Sequence, residues 1–158
     1  MNEVKKCQNI LGRELLEIEI NYLQQYPKEK LLEIHKLINT LTKFETMNHQ
    51  IWKFIFFMDS QQAEKLLNEN NHINIFLVRF SVEENELKIF VTIKSNKSQG
   101  KPQHIQYYNQ IRDGGPTKLI DRNILASLKL IDLTSTTNML IIVENSIYSV
   151  CKELICGR

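Results

Sequence analysis

The stretch INIFLVRFS, residues Ile73 to Ser81, decides how this sequence folds. Its dense run of β-branched and aromatic residues is typical of a strand in the middle of a sheet, covered on both faces. Arg79 interrupts the run near its end, and burying a guanidinium costs several kcal/mol unless an anion or good hydrogen bonds meet it. The arginine therefore needs a partner, either an internal carboxylate such as Glu64 or a ligand from outside.

Two further strand patterns follow this stretch. The segments ELKIFVTIK (86–94) and QHIQYYNQI (103–111) are rich in β-formers. The polar segment VEEN (82–85) is short enough for a hairpin turn, and a looser loop separates the second and third strands. The three segments predict an antiparallel meander.

Helical patterns precede the strands. Apolar residues recur every three or four positions through residues 1–48, and the YPKEK motif breaks them into two helices, which predicts a helical hairpin. The segment DSQQAEKLL predicts another helix, capped by Asp59 or Ser60. We expect an α+β fold, a central antiparallel β-sheet flanked by two α-helices, in residues 49–158 after the hairpin.

Composition narrows the function classes. The net charge of +2 over 158 residues is too small to argue for nucleic acid, and the longest apolar runs are too short for a membrane span. The three cysteines have no metal-ligand spacing, so we expect neither metal nor cofactor. The N-terminal stretch lacks the apolar run of a secretory signal, and we expect a cytoplasmic protein.

Strand alternation predicts a local anion site. It puts Arg79 and Ser81 on the same face, beside a turn that exposes several backbone N–H groups. A guanidinium fork, a hydroxyl and main-chain amides together form a receptor for a tetrahedral dianion such as phosphate.

The order of these motifs resembles the Src homology 2 domain. The hallmark of that family is an AE-x-LL helix before an F-L-V-R-x-S strand; here AEKLL (63–67) precedes FLVRFS (76–81), and His104 opens the third strand. The resemblance implies a phosphotyrosine-binding module. In it Arg79 grips two phosphate oxygens, Ser81 and the turn amides complete the phosphate shell, and His104 lines the pocket.

The predicted phosphotyrosine-binding residues combine this resemblance with strand alternation. Lys88 joins them because it faces the same side as Arg79 if its neighbours in the strand face the core. The sequence also departs from the family, with Ser60 where many members carry an arginine and an acidic turn where basic or hydroxyl residues are common. The full predicted set is Arg79, Ser81, Val82, Glu83, Glu84, Lys88, His104 and Ser60.

The second flanking helix of the family has two placements in this sequence. In the first, DRNILASLKLI (121–131) is that helix and NMLIIVE (138–144) is a late strand. In the second, NSIYSVCKELI (145–155) is the helix and roughly 109–138 is an insertion in the loop that shapes peptide specificity in the family. The cleaner apolar spacing of NSIYSVCKELI favours the second placement.

We expect a non-enzymatic adaptor or effector whose partners are tyrosine-phosphorylated proteins or peptides. The alternative is a degenerate module that keeps the fold and binds protein without phosphate. A hydrolase using Cys151 or Cys156 with His104 is disfavoured, because no Gly-rich elbow or paired catalytic carboxylates are present. The abundance of Asn, Ile and Lys suits an A/T-rich bacterial genome, and a bacterial effector of this type would act in the host cell cytoplasm.

Overall fold

A computed structural model describes residues 11, 13–44, 54–71, 73–83, 86–95, 101–106, 128–131, 133 and 140–142. These residues form a mixed α+β structure, which confirms the predicted class at that level. The helices are α1 (Glu17–Gln24), α2 (Lys28–Phe44) and α3 (Ser60–Asn68). The strands are β1 (Ile55–Phe57), β2 (Ile75–Glu83), β3 (Glu86–Lys94), β4 (Gln103–Gln106), β5 (Lys129–Ile131) and β6 (Leu140–Ile142).

The sheet is built around β2. Antiparallel pairing of β2 with β3 and of β3 with β4 confirms the predicted meander. The strand order is β4-β3-β2-β5-β6, and β1 also lies beside β2.

The sheet is mixed rather than wholly antiparallel, which corrects the prediction. Both β1 and β5 run parallel to β2. The unit β1-α3-β2 is thus a parallel pair joined through a helix, the usual way to connect parallel neighbours. The sequence does not predict β1, because its three residues, IFF, lie within an aromatic-rich run without alternation.

Helices cover both faces of β2, whose residues from Ile75 to Ser81 are all buried. One face packs against α3, and the other against α1 and α2. The hairpin residues thus share a core cluster with the sheet, as expected for a helix pair that cannot bury its apolar stripe alone. The α3 side includes Ala63, Leu67, Ile75 and Leu77, and the hairpin side includes Leu23, Ile34, Ile38, Phe76, Val78 and Phe80.

Polar groups hold α3 at both ends. The side chain of Asp59, one of the two predicted caps, accepts a hydrogen bond from the Gln62 N–H at 2.8 Å. At the other end the Lys94 ammonium donates to the carbonyls of Leu67 at 2.7 Å and Asn70 at 2.6 Å. Burial lowers the pKa of Lys94. These contacts fix α3 against the sheet beside β2 and β3.

A buried ion pair attaches α1 to the outer edge of β1. Arg13 donates to both carboxylate oxygens of Glu19, at 2.6 and 2.9 Å, and to the Ile55 carbonyl at 2.9 Å. Glu19 is 0% exposed and also accepts from the Phe57 N–H at 3.0 Å. The pair therefore satisfies backbone groups on the edge of β1 that no strand among the described residues covers.

The same ion pair explains a departure from the predicted helical pattern. The chain from Arg13 to Leu16 is not helical, so the apolar periodicity of the first predicted helix spans a break. The Leu16 N–H donates to the Glu19 carboxylate at 3.0 Å, which starts α1 at Glu17. The apolar spacing alone does not reveal this break.

The structure of the C-terminal part contradicts one predicted helix. Residues Lys129–Ile131 form β5, so the predicted helix over 121–131 is wrong in its last three residues. Leu130 pairs with Phe76 of the central strand and is fully buried, and that burial in the sheet outweighs its helix propensity.

The remaining C-terminal predictions have different outcomes. The strand β6 lies within the predicted strand 138–144 and confirms it. Three residues of the range 109–138 belong to the central sheet through β5. The predicted helix 145–155 and the division of the chain near residue 48 lie outside the described residues. None of the described helices combines the length and apolar character that a membrane crossing requires.

Candidate functional site

The guanidinium of Arg79 is the centre of the candidate site. Arg79 is 1% exposed, although its side chain is one of the largest in the core. Its Nε donates to Thr92 Oγ1 at 3.1 Å, and Nη1 donates to the Met58 carbonyl at 3.3 Å. Nη2 lies 3.3 Å from His104 Nδ1, and the guanidinium carbon lies 4.7 Å from the centre of the Phe90 ring. Thr92, the Met58 carbonyl and Phe90 are electrically neutral. His104 is neutral as well when its Nδ1 accepts a hydrogen bond.

No carboxylate among the described residues bonds directly to Arg79. Burial lowers the pKa of the Arg79 guanidinium, and the negative charge of Glu83 opposes that shift, with smaller contributions from Asp59 and Glu64. Arginine nevertheless keeps its charge at neutral pH. The site is therefore a buried cation without a direct countercharge in the described part of the chain, an arrangement that costs free energy unless an anion binds there.

His104 links Arg79 to Glu64. Its Nε2 lies 3.0 Å from Glu64 Oε1, and its Nδ1 lies 3.0 Å from Thr92 Oγ1. Because the arginine can only donate, we assign Nδ1 as the acceptor and place the ring proton on Nε2, where it donates to the carboxylate. The ring thus connects α3, β3 and β4 around the guanidinium, and Glu64 faces the imidazole instead of pairing with Arg79 itself.

Ser81 and Lys88 lie on the same face of the sheet as Arg79. Ser81 is 2% exposed, and its hydroxyl donates to Glu83 Oε1 at 2.9 Å. Lys88 is its partner across the β2–β3 pair, and its ammonium makes no hydrogen bond or ion pair within the described part of the chain. A lysine is therefore the cross-strand neighbour of Ser81, while an acidic side chain accepts the hydrogen bond of the Ser81 hydroxyl.

A tyrosine of helix α1 contacts β2 close to the site. The Val82 N–H donates to the Tyr22 hydroxyl at 3.0 Å, and the Tyr26 hydroxyl lies 3.3 Å from that of Tyr22. This bond continues the β1–β2 edge with a side chain, because the preceding link on that edge runs from the Met58 N–H to the Phe80 carbonyl. A main-chain amide predicted for the phosphate shell is thus already engaged.

A polar groove of about 290 Å³ lies beside the site, between α1 and the start of α3. It shares two residues with the surroundings of Arg79: the tyrosine that binds the Val82 amide and the methionine whose carbonyl binds the guanidinium. Its lining consists of Ile18, Asn21, Tyr22, Gln25, Met58, Asp59 and Gln62.

The structure brings together most of the predicted site residues. Arg79, Ser81, Glu83, Lys88 and His104 all lie on the α3 side of the β2–β3–β4 meander, as strand register requires. The remaining predicted residues are Val82, whose amide binds the tyrosine hydroxyl, Ser60, which begins α3, and Glu84, which lies outside the described residues.

Three contributors to the site are not among the predicted residues. Thr92 could have been found, because it alternates with Lys88 and Phe90 along β3 and so shares their face. The Met58 carbonyl and the Tyr22 hydroxyl carry no local signal, because chain folding brings them to β2 from other elements.

Comparison of the chain with models of protein families, with curated proteins and with solved structures finds no match. Any functional conclusion therefore rests on the site geometry and on the motif order in the sequence.

Proposed function

We propose that this protein binds tyrosine-phosphorylated peptides or proteins and that Arg79 receives the phosphate. The observation that carries the proposal is the buried guanidinium itself, which is 1% exposed and has no direct carboxylate partner among the described residues. Such a charge is costly to bury, and an anionic ligand would supply the missing countercharge.

The present partners of Arg79 suit an exchange with phosphate. Its bonds to the Met58 carbonyl and to His104 are 3.3 Å long, at the upper end for hydrogen bonds, and both acceptors are uncharged under the assigned tautomer. A phosphate carries about −1.5 to −2 charges at neutral pH and accepts charge-assisted bonds roughly twice as strong as neutral ones. Exchanging neutral acceptors for phosphate oxygens would therefore strengthen the hydrogen bonds of the guanidinium.

The depth of the arginine favours phosphotyrosine over phosphoserine. A ligand phosphate must reach a side chain that is almost wholly covered. A phosphotyrosine places its phosphate at the end of a long rigid ring, whereas phosphoserine is too short to reach a buried arginine. The Phe90 ring beside the guanidinium adds an apolar surface against which a second ring can pack.

The spatial order of the motifs supports the resemblance to the Src homology 2 domain. Helix α3 contains AEKLL, β2 contains FLVRFS, and β4 contains His104; these elements adjoin one another around Arg79. Contacts of His104 with both Arg79 and Glu64 join all three motifs at one point. Three separate sequence signals thus meet where the proposed function needs them.

A binding experiment tests the proposal. Isothermal calorimetry would compare a degenerate pool of phosphotyrosine peptides with the same pool unphosphorylated and with a phosphoserine pool. We expect binding of the phosphotyrosine pool alone. Equal binding of the phosphorylated and unphosphorylated pools would refute the phosphate dependence.

Two substitutions locate the site. Arg79→Lys keeps the charge but loses the planar two-donor fork, so we expect at least about a tenfold loss of affinity. Lys36→Gln removes one positive charge from an exposed position on α2, on the opposite side of the sheet, and is expected to leave affinity unchanged. A loss of affinity for Lys36→Gln with no loss for Arg79→Lys would indicate non-specific electrostatic attraction instead of a site at Arg79.

A second candidate is a phosphate-independent protein-binding module. The observation that favours it is the internal engagement of Ser81 by Glu83 and of the Val82 amide by Tyr22. Both donors belong to the predicted phosphate shell. A degenerate site that no longer binds phosphate would show the same internal hydrogen bonds. Arg79→Lys would leave partner binding intact in this case, which separates the two candidates in the same experiment.

We also propose that the protein is not an enzyme, and that it acts as an adaptor or effector. The two cysteines considered as nucleophiles lie outside the described residues. Incubation with aryl phosphate and aryl ester substrates is expected to give no turnover above the rate of a heat-denatured sample, and turnover that survives Arg79→Lys would argue for a hydrolase.

A further inference from the structure

Glu83 is the acidic residue whose position conflicts most directly with phosphate binding. It follows Ser81 by two positions in β2, so both side chains lie on the face of Arg79. Its carboxylate accepts a hydrogen bond from the Ser81 hydroxyl at 2.9 Å. The hydroxyl is nearly buried, whereas Glu83 is exposed at the end of the strand.

We propose that Glu83 is an internal competitor of the ligand phosphate, which holds the Ser81 hydroxyl until a phosphate displaces it and thereby sets the affinity of the site. The proposal rests on the proposed function, because it assigns a regulatory role within the same site. A carboxylate and a phosphate are both anionic acceptors, so each satisfies the same hydroxyl and the same positive surroundings.

The other described carboxylates near Arg79 have different partners. Asp59 accepts a hydrogen bond from the Gln62 N–H and caps α3, while Glu64 faces the imidazole of His104. Neither holds a donor that is predicted for the phosphate shell. Among these carboxylates Glu83 is therefore the one whose release opens such a donor.

The release of Ser81 by Glu83 requires only a local movement. Glu83 is exposed, so its side chain can rotate into water without unpacking the core. Phosphate entry then breaks one charge-assisted hydrogen bond and places two negative groups near each other until the carboxylate turns away. Both effects weaken binding in the native protein. When Glu83 loses its charge, the hydrogen bond becomes weaker and the repulsion disappears.

Glu83→Gln is the direct test, since glutamine keeps the shape and leaves only a weaker neutral acceptor for the hydroxyl. Its matched control is Glu86→Gln, which removes an equal charge from the residue opposite Glu83 in the same hairpin. Fluorescence anisotropy with a labelled degenerate phosphotyrosine peptide pool would measure the affinity of each variant. We expect about tenfold tighter binding for Glu83→Gln and less than about a twofold change for Glu86→Gln.

A double-mutant cycle with Ser81→Ala tests the hydroxyl. If Glu83 acts by withholding the Ser81 hydroxyl, the gain from Glu83→Gln becomes smaller in the Ser81→Ala background. An undiminished gain there, or equal gains for Glu83→Gln and Glu86→Gln, overturns the competitor role while phosphate-dependent binding stands. A gain that extends equally to the unphosphorylated pool also overturns it. Phosphate-independent binding, or no binding, by every protein overturns the proposed function and this role together.

Discussion

Replacing Arg79 with methionine separates a ligand-binding arginine from a structural one. Methionine fills much of the volume of the arginine stem and carries no charge. If the guanidinium is retained for a ligand, its loss should abolish phosphopeptide binding and cost the fold little. If it is a structural tie, its loss should destabilise the fold strongly.

The contacts of Arg79 set the expected magnitude. The substitution removes a desolvation penalty of several kcal/mol together with the hydrogen bonds and the Phe90 contact that offset it. Thr92 and His104 still bond to each other at 3.0 Å, so the Met58 carbonyl is the acceptor left without its donor. One buried unpaired acceptor costs about 1–3 kcal/mol, and we expect a total loss of about 1–2 kcal/mol in the free energy of unfolding.

Arg13→Met is the matched control, because Arg13 is also largely covered but pairs with a buried carboxylate. It leaves Glu19, which is 0% exposed, without its cation, and breaking such a pair costs about 3–5 kcal/mol. Equilibrium urea unfolding followed by circular dichroism would measure both variants, and calorimetry with the phosphotyrosine pool would measure binding. A loss for Arg79→Met as large as that for Arg13→Met would refute the view that Arg79 is kept for a ligand.

Three further substitutions test single contacts. Tyr22→Phe removes the acceptor of the Val82 N–H, so we expect faster hydrogen exchange of that amide and about 1 kcal/mol lower stability; unchanged exchange would contradict the observed bond. Lys94→Met removes the donor to two carbonyls at the end of α3 and should lower stability by about 1–2 kcal/mol in urea unfolding, whereas a neutral result would show that relief of Lys94 burial offsets both bonds. Thr92→Val removes the acceptor of the Arg79 Nε and should weaken phosphopeptide binding by about tenfold in calorimetry; unchanged affinity would remove Thr92 from the site.

Much of the site follows from local sequence rules. The bounds of β3 match the predicted segment 86–94, and Asp59 is one of the two predicted caps. The alternation of side chains along β2 is enough to place Arg79 and Ser81 on one face, because the two-residue period of a strand is a property of its backbone. Periodicity and capping act over a few residues, so the sequence itself encodes them.

The partners of those residues depend on tertiary structure. Strand β1 pairs parallel to β2, and β5 occupies part of the same edge, although neither segment alternates or is longer than three residues. Nothing within such short segments specifies the direction or the register of pairing.

The decisive side-chain contacts join distant parts of the chain. The Tyr22 hydroxyl reaches an amide 60 residues away, Arg13 reaches a carbonyl 42 residues away, and His104 lies 25 residues from Arg79. The sequence by itself determined that an arginine lies on a central strand beside a serine. Only the tertiary structure decided that neutral groups surround this arginine and that Glu83 and Tyr22 engage its neighbours, because burial and packing between elements choose those contacts.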